Sequence, residues 1–227
     1  MSGMREGEQV NPMVRKPDAR WRDAGRSRHV LDTTLKRGLD IVVSALALLA
    51  SVPFWCAIGI GILLDDGWPI LHSQQRVGTG GRVFRVYKFR SMRRDAERDT
   101  GPVLAERDDP RITRIGRILR KAALDEIPQL ISIFRGHMSW VGPRPERPEF
   151  VREFIRTVPG YGSRHMVRPG LTGVAQVYGR YFTEPDEKLK YDLYYVRRGN
   201  LLLDFRLFVK SWLVTAKGRW DATEEAR

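Results

Sequence analysis

The chain is 227 residues long, with 40 Lys and Arg against 27 Asp and Glu, a net charge of +13 and a sequence pI near 10.3. That length suffices for one domain with a real core plus a further element, and that charge asks for an anionic partner: nucleic acid, anionic lipid or a phosphorylated substrate. The lone Cys56 excludes an intramolecular disulfide and a cysteine metal cluster.

Residues 1–30 are rich in Arg, Asp, Gly, Pro and Ser, and read as a disordered basic tail suited to anionic headgroups. Next come Lys36-Arg37-Gly38-Leu39-Asp40. On a helix Asp40 can pair with both cations, three and four residues back. They then form a charge-neutral interfacial turn, or Lys36 and Arg37 hold lipid phosphate; the geometry serves either.

The stretch Ile41–Leu64 carries no charge over 24 residues. As a straight helix it would run about 36 Å, against roughly 30 Å of bilayer hydrocarbon. It starts too far into the chain and is too long for a signal-peptide core, so it should persist as an anchor. Pro53 lacks an N–H and clashes with the carbonyl of Leu49, which predicts a break near Ser51–Pro53 with the Ser51 hydroxyl serving a freed backbone group. Three geometries compete: a kinked span, a re-entrant helix–break–helix, and a helix buried in a soluble core. Nine Lys or Arg precede the run, and residues 67–121 carry fourteen against six Asp or Glu. With both flanks basic, a re-entrant hairpin satisfies the positive-inside rule and a span does not.

Residues 69–77 and 82–90 are strand-like and joined by Gly78-Thr79-Gly80-Gly81, which predicts a β-hairpin. The glycines match neither a Walker loop nor a dinucleotide fingerprint. Residues 93–109 read as a polar helix plus loop. From Arg111 to Arg120, Arg and Ile recur at three-residue spacing, as on a helix with one cationic and one apolar face, lying on the core or on a membrane.

Asp125 and Glu126 are adjacent carboxylates in a basic neighbourhood, just before Pro128, where a helix running to Phe134 should start. Asp125 could simply cap that helix. Alternatively one carboxylate attacks phosphorus while its neighbour holds Mg²⁺ against substrate phosphates. Gly142-Pro143-Arg144-Pro145-Glu146-Arg147-Pro148 displays Arg144 and Arg147 on a stiff loop, suited to bidentate phosphate contacts or to peptide-ligand display. Arg164 and Arg168, in RHMVRPG, repeat the theme of guanidiniums on a rigid turn, with His165 left without a role. Residues 201–214 form an amphipathic helix, with Trp212 suited to an interface. Residues 218–227 read as a frayed end.

Taken together, LKRGLDIVVS, the run broken at Ser51–Pro53, QQRVGTGGRVFRVYKFRSM, DPRITRIGRILRK, LDEIPQL, GPRPERPEF, VRPGLTGVAQVYGR and YDLYYV resemble one family over residues 34–210: bacterial sugar transferases that are monotopic phosphoglycosyl transferases. The resemblance implies transfer of a phospho-sugar from a UDP-sugar to undecaprenyl phosphate, giving undecaprenyl diphosphate-sugar and UMP, as the first membrane step of exopolysaccharide or O-antigen assembly. It implies a covalent aspartyl-phosphosugar on Asp125, Mg²⁺ held by Glu126, and a site shaped by Pro143-Arg144-Pro145. Phosphate ligands are then expected among Arg144, Arg147, Arg164, Arg168, Lys36 and Arg37.

The implied fold is α/β, mostly helical. A re-entrant helix (31–66) with both ends cytoplasmic precedes a catalytic domain (67–217) on the cytoplasmic face of the bacterial inner membrane. That domain has interfacial amphipathic helices and a small β-hairpin, and tails fall at 1–30 and 218–227. It is the minimal form, without the four transmembrane helices that precede this domain in longer members. Membrane phospholipid is an expected partner, nucleic acid is not, and the exposed helices are compatible with a homodimer. Two positions depart from the pattern: Gly136-His137-Met138-Ser139 stands where Gly-Asp-Met-Ser is usual, and Ala122-Ala123 replaces more polar residues. A nucleic-acid-binding protein and a non-enzymatic membrane scaffold presenting PRPERP are the competing readings.

Overall fold

The 24 uncharged residues and the turns before them form one helix, α1 (Arg28–Asp66). The computed structural model describes residues 6, 28–98, 101, 103, 109–179 and 184–216, with the side chains of α1 from Thr34 onward. Most of both expected tails therefore lies outside the described residues.

The helix runs through Pro53 without interruption, so the break expected at Ser51–Pro53 is corrected. Proline removes one N–H, so the helix loses one hydrogen bond there and can bend, yet the chain stays helical on both sides. The Ser51 hydroxyl donates to the carbonyl of Leu48 at 2.8 Å, one residue from the carbonyl that Pro53 leaves free, and accepts from Trp55 Nε1 at 3.1 Å. Packing holds both halves. Asp40, Ser44, Ser51, Ile58 and Ile62 form a buried stripe at helical spacing, with Ala47, Leu48 and Trp55 between them also in contact. The opposite side, including Val42, Leu46, Leu49, Phe54, Ile60 and Leu64, is exposed. Only 17% of the most apolar window is buried, which sets aside the buried core helix.

The hairpin is as expected. Strand β1 (Leu71–Val77) pairs antiparallel with β2 (Val83–Phe89), from Leu71 opposite Phe89 to Val77 opposite Val83. Gly80 and Gly81 turn the chain at φ of 64° and 75°, a region glycine enters without steric cost. Phe84 and Val86 of β2 pack with Leu130, Ile133 and Met138, against Ala47 and Leu48 of α1. Phe89 packs with Leu119, Ile58 and Ile62, against Trp55. Each such fully buried side chain contributes about 1.5–3 kcal/mol.

The Arg/Ile repeat forms α2 (Arg114–Lys121), shorter than expected because Thr113 caps it, accepting from the Gly116 N–H at 3.0 Å. Gly116 is needed for contact: a Cβ there would lie 2.0 Å from the carbonyl oxygen of Ser91. A 3₁₀ segment, Leu124–Gln129, leads into α3 (Leu130–Arg135). Strand β3 (Ser139–Val141) then pairs parallel with β4 (Gly170–Thr172). Val174 of α5 (Val174–Tyr178), Tyr195 of α6 (Pro185–Arg198) and Leu207 of α7 (Leu201–Ala216) pack with Val141 of this pair, while Val151 of α4 (Pro148–Thr157), Tyr161 of a second 3₁₀ segment at Tyr161–Met166 and Leu189 of α6 pack with Val77 of β1. The fold is thus mostly helical α/β, with two small strand pairs among the described residues.

Candidate active site

Leu124, Ile127, Leu130 and Ile133 recur every third residue. In a 3₁₀ turn such residues eclipse and share one face, and all four pack into the two clusters around Phe84 and Phe89. Asp125 and Glu126 are thereby turned off that face. Before them Ala123 holds φ of 54°, a left-handed conformation that costs a non-glycine residue roughly 1–2 kcal/mol. It reverses the chain between the end of α2 and the dyad. No side chain caps either 3₁₀ or α3, so Asp125 is not a helix cap.

The two carboxylates have unlike surroundings. Glu126 Oε1 accepts from Lys88 Nζ at 2.6 Å and from Arg144 Nη2, and its Oε2 meets Arg144 Nη1 at 3.3 Å. Burial opposes ionisation of Glu126, but Arg144 and Lys88 outweigh it and hold the carboxyl far below the usual range. Asp125 is also buried, at 6% exposure, yet makes no side-chain hydrogen bond among the described residues. Burial raises its pKa; Lys88 opposes the rise, and the neighbouring Glu126 adds to it. The pair therefore comprises one anion fixed by two cations and one carboxylate kept free, desolvated and within their field.

Lys88 is the residue that sequence reasoning missed. It lies on β2 beside the buried Phe89, and a lysine on a hairpin strand carries no signal of its own. The dyad turn packs on this strand, and that contact brings its ammonium to Glu126.

The other expected phosphate ligands are distributed differently. Arg144 is at the dyad. Arg147 pairs with Glu97, at 2.7 and 3.2 Å, and lies 3.7 Å from Glu149. Arg164 is 2% exposed and bound to Asp192. Lys36 bonds Asp204 of α7, the Tyr195 hydroxyl and the Val141 carbonyl. Arg37 donates to the carbonyls of Ile133 and Phe134 at the end of α3, both at 2.7 Å. Asp40 accepts from the Ser139 hydroxyl and the Trp140 N–H rather than pairing with these cations. The Lys36–Arg37–Asp40 turn thus fastens α1 to the domain. Arg168 is half-buried, lies near Arg37, and makes no side-chain hydrogen bond or ion pair among the described residues. His165 is buried, with its pKa pushed down to about 3 by burial and by Arg164, so its ring stays neutral. His137 is exposed, its ring tilted against Phe84.

A Mg²⁺ ion takes one or two protein carboxylates and fills its other positions with water and substrate phosphates. The dyad meets that requirement, with Glu126 Oε2 its less engaged oxygen. Among the described residues no three His, Cys, Asp or Glu side chains converge to hold a metal unaided. A cation fits here only in company with a diphosphate.

The sequence has relatives among known proteins. The sequence is 41% identical over 180 residues to a UDP-N-acetylgalactosamine-undecaprenyl-phosphate N-acetylgalactosaminephosphotransferase of Aeromonas hydrophila, covering 78% of this chain and 42% of that protein. It is 37% identical over 198 residues to a UDP-glucose:undecaprenyl-phosphate glucose-1-phosphate transferase of Xanthomonas campestris pv. campestris, covering 85% and 41%. It is 41% identical over 199 residues to an exopolysaccharide production protein, PSS, of Rhizobium leguminosarum bv. phaseoli, covering 83% of this chain and 100% of that one. The chain thus spans about two fifths of the first two relatives and all of the third. The sequence model of the bacterial sugar transferases matches residues 31–218, and the chain belongs to that family.

Proposed function

We propose that this protein transfers a sugar phosphate from a UDP-sugar to undecaprenyl phosphate through an ester on Asp125. The observation that carries this reading is the asymmetry of the dyad: Glu126 is locked between Lys88 and Arg144, while Asp125 beside it is buried and makes no side-chain hydrogen bond among the described residues. A carboxylate without hydrogen bonds keeps its lone pairs for attack, and the Lys88, Arg120 and Arg144 cations oppose the rise that burial imposes on its pKa.

In the first step an Asp125 oxygen attacks the sugar-bearing phosphorus. The bond to the bridging oxygen breaks, and UMP leaves with that electron pair. In the second step a phosphate oxygen of undecaprenyl phosphate attacks the same phosphorus, releasing Asp125 as carboxylate and giving undecaprenyl diphosphate-sugar. Arg144 and Lys88 offset the charge of the incoming phosphates, and Arg168 is a further candidate phosphate ligand. Mg²⁺ is the expected cofactor; Glu126 would hold it, and when bound it supplies charge neutralisation at the diphosphate.

The membrane geometry we favour is re-entrant, with both ends of α1 on the cytoplasmic face. The catalytic domain grips the helix at both ends. Lys36 and Arg37 bond α7 and α3, while Asp65 accepts from the Ile115 N–H of α2 and Asp66 pairs with Arg90. A straight helix would put Lys36 and Asp65 about 44 Å apart, on opposite sides of roughly 30 Å of hydrocarbon, so the re-entrant reading requires α1 to bend at Pro53 while staying helical. The acceptor's phosphate lies at headgroup level, so immersion in one leaflet suffices.

The test is a panel of UDP-sugars, incubated with Mg²⁺ and undecaprenyl phosphate, with UMP as readout. We expect release with at least one donor and its loss in Asp125→Asn. Undiminished release by Asp125→Asn would overturn the assignment. Absence of release from every donor would favour the non-enzymatic scaffold.

A further inference from the structure

Arg144 reaches Glu126 from a loop with little regular structure, so something else must fix its direction. Two guanidiniums do so from behind. Arg164 donates from Nη2 to the Arg144 backbone carbonyl at 2.8 Å, and Arg76 donates from Nη1 to the next carbonyl, that of Pro145, at 3.1 Å. The N–H of Val77, beside Arg76 on β1, donates to the carbonyl of Glu146 at 2.9 Å. Three successive carbonyls of the loop are therefore held by groups outside it.

Each guanidinium has its own counter-ion. Arg164 Nε and Nη2 lie 2.9 and 2.7 Å from Asp192 Oδ2, and its Nη1 donates to the Tyr161 hydroxyl at 2.8 Å. Both Arg164 and Asp192 are 2% exposed. Arg76 lies 3.7 Å from Glu146, which also binds Lys188 of α6. All three nitrogens of the Arg164 fork are engaged inside the protein and the side chain is 2% exposed, so it faces the loop rather than a substrate phosphate. An arginine fork fixes geometry in a way a lysine ammonium does not.

We propose that Asp192, Arg164 and Arg76 are positioning residues that act through Arg144, with Asp192 on α6 setting the direction in which the Arg144 guanidinium meets Glu126 and the donor's phosphates. This rests on the function proposed above for Arg144, and it replaces the expectation that Arg164 is itself a phosphate ligand. Displacements near 1 Å at a reacting centre cost about 100-fold in rate, so a loosened loop should lower turnover while the protein stays folded.

Two readouts test this. The first needs no activity: phenylglyoxal labelling of arginines, read by peptide mass spectrometry on the full chain in detergent. Asp192→Asn and the milder Arg76→Lys should label severalfold faster at Arg144, with exposed Arg85 unchanged as internal reference. Only variants whose thermal midpoint stays close to that of the parent chain are compared. Unchanged labelling of Arg144 in both variants would overturn the proposal.

The second is a double-substitution cycle on UMP release. Asp192→Asn should lower kcat about tenfold or more in the parent chain, with little added loss in an Arg144→Ala background. An equal loss in both backgrounds would mean that Asp192 acts independently of Arg144, and would overturn the proposal. If no donor supports UMP release at all, the function fails, while the labelling result still decides whether the relay exists.

Discussion

At the residue scale, the ammonium of Lys88 acts on both carboxylates at once. It bonds Glu126, and it is the largest influence opposing the burial that raises Asp125. As the proposed nucleophile, Asp125 must be ionised, so the proposed activity should fall as pH drops through its raised pKa. Lys88→Met removes the opposing charge and lifts that pKa further. The acid limb of the kcat/KM profile should therefore move to higher pH, with kcat at neutral pH lower by roughly 100-fold, as for loss of one charge-stabilising donor. An acid limb that stays in place or moves to lower pH would contradict the role given to Lys88. Glu126 should not shape that limb, because Arg144 and Lys88 hold it ionised.

The residue scale is also where sequence reading was least complete. The dyad was recognised through its surrounding motif. Composition alone favours Asp125 as a helix cap, and the structure shows no such cap. The arginines stood out as cations on stiff turns, but a sequence does not display the partner of a cation. The partner of Arg164 is 28 residues on, at Asp192, and that of Arg147 is 50 residues back, at Glu97. Only the folded chain separates Arg144, which meets the dyad, from Arg164, which supports it.

At the element scale, α2 shows how a glycine can be required inside a helix. Replacing an exposed helical glycine with alanine ordinarily stabilises by about 0.4–1 kcal/mol. At Gly116 the new methyl would meet the Ser91 carbonyl oxygen, a backbone atom, at 2.0 Å. That clash should dominate, and Gly116→Ala should destabilise by about 1–3 kcal/mol. Thermal unfolding in detergent checks the sign: a higher midpoint would mean that the contact between residue 91 and α2 yields easily. The hairpin and α2 were legible because glycine placement and three-residue periodicity are local signals. The fate of α1 at Pro53 was not, because it depends on Phe84, Phe89 and α3 lying along the helix and holding both halves.

At the scale of the whole molecule, α1 is, among the described residues, the one helix long and apolar enough to cross a membrane, and it also packs on the domain that carries the dyad. One stripe is built into the domain and the other side is left apolar and exposed, as expected of a helix with lipid on one side and its own protein on the other. If both ends share a face, single cysteines introduced as Glu6→Cys and Arg94→Cys, in a Cys56→Ser background, should react with an impermeant maleimide from the same side of oriented membrane vesicles. Labelling from opposite sides would require a span and would separate α1 from the contacts it makes at both ends.

The covalent ester on Asp125 is tested most directly by mass spectrometry of the protein after incubation with a UDP-sugar that supports turnover, without acceptor. The account predicts one phosphosugar adduct on the peptide containing Asp125, formed together with about one equivalent of UMP, absent in Asp125→Asn and discharged by undecaprenyl phosphate. Turnover that leaves Asp125 unmodified, or an adduct on any other residue, would contradict it.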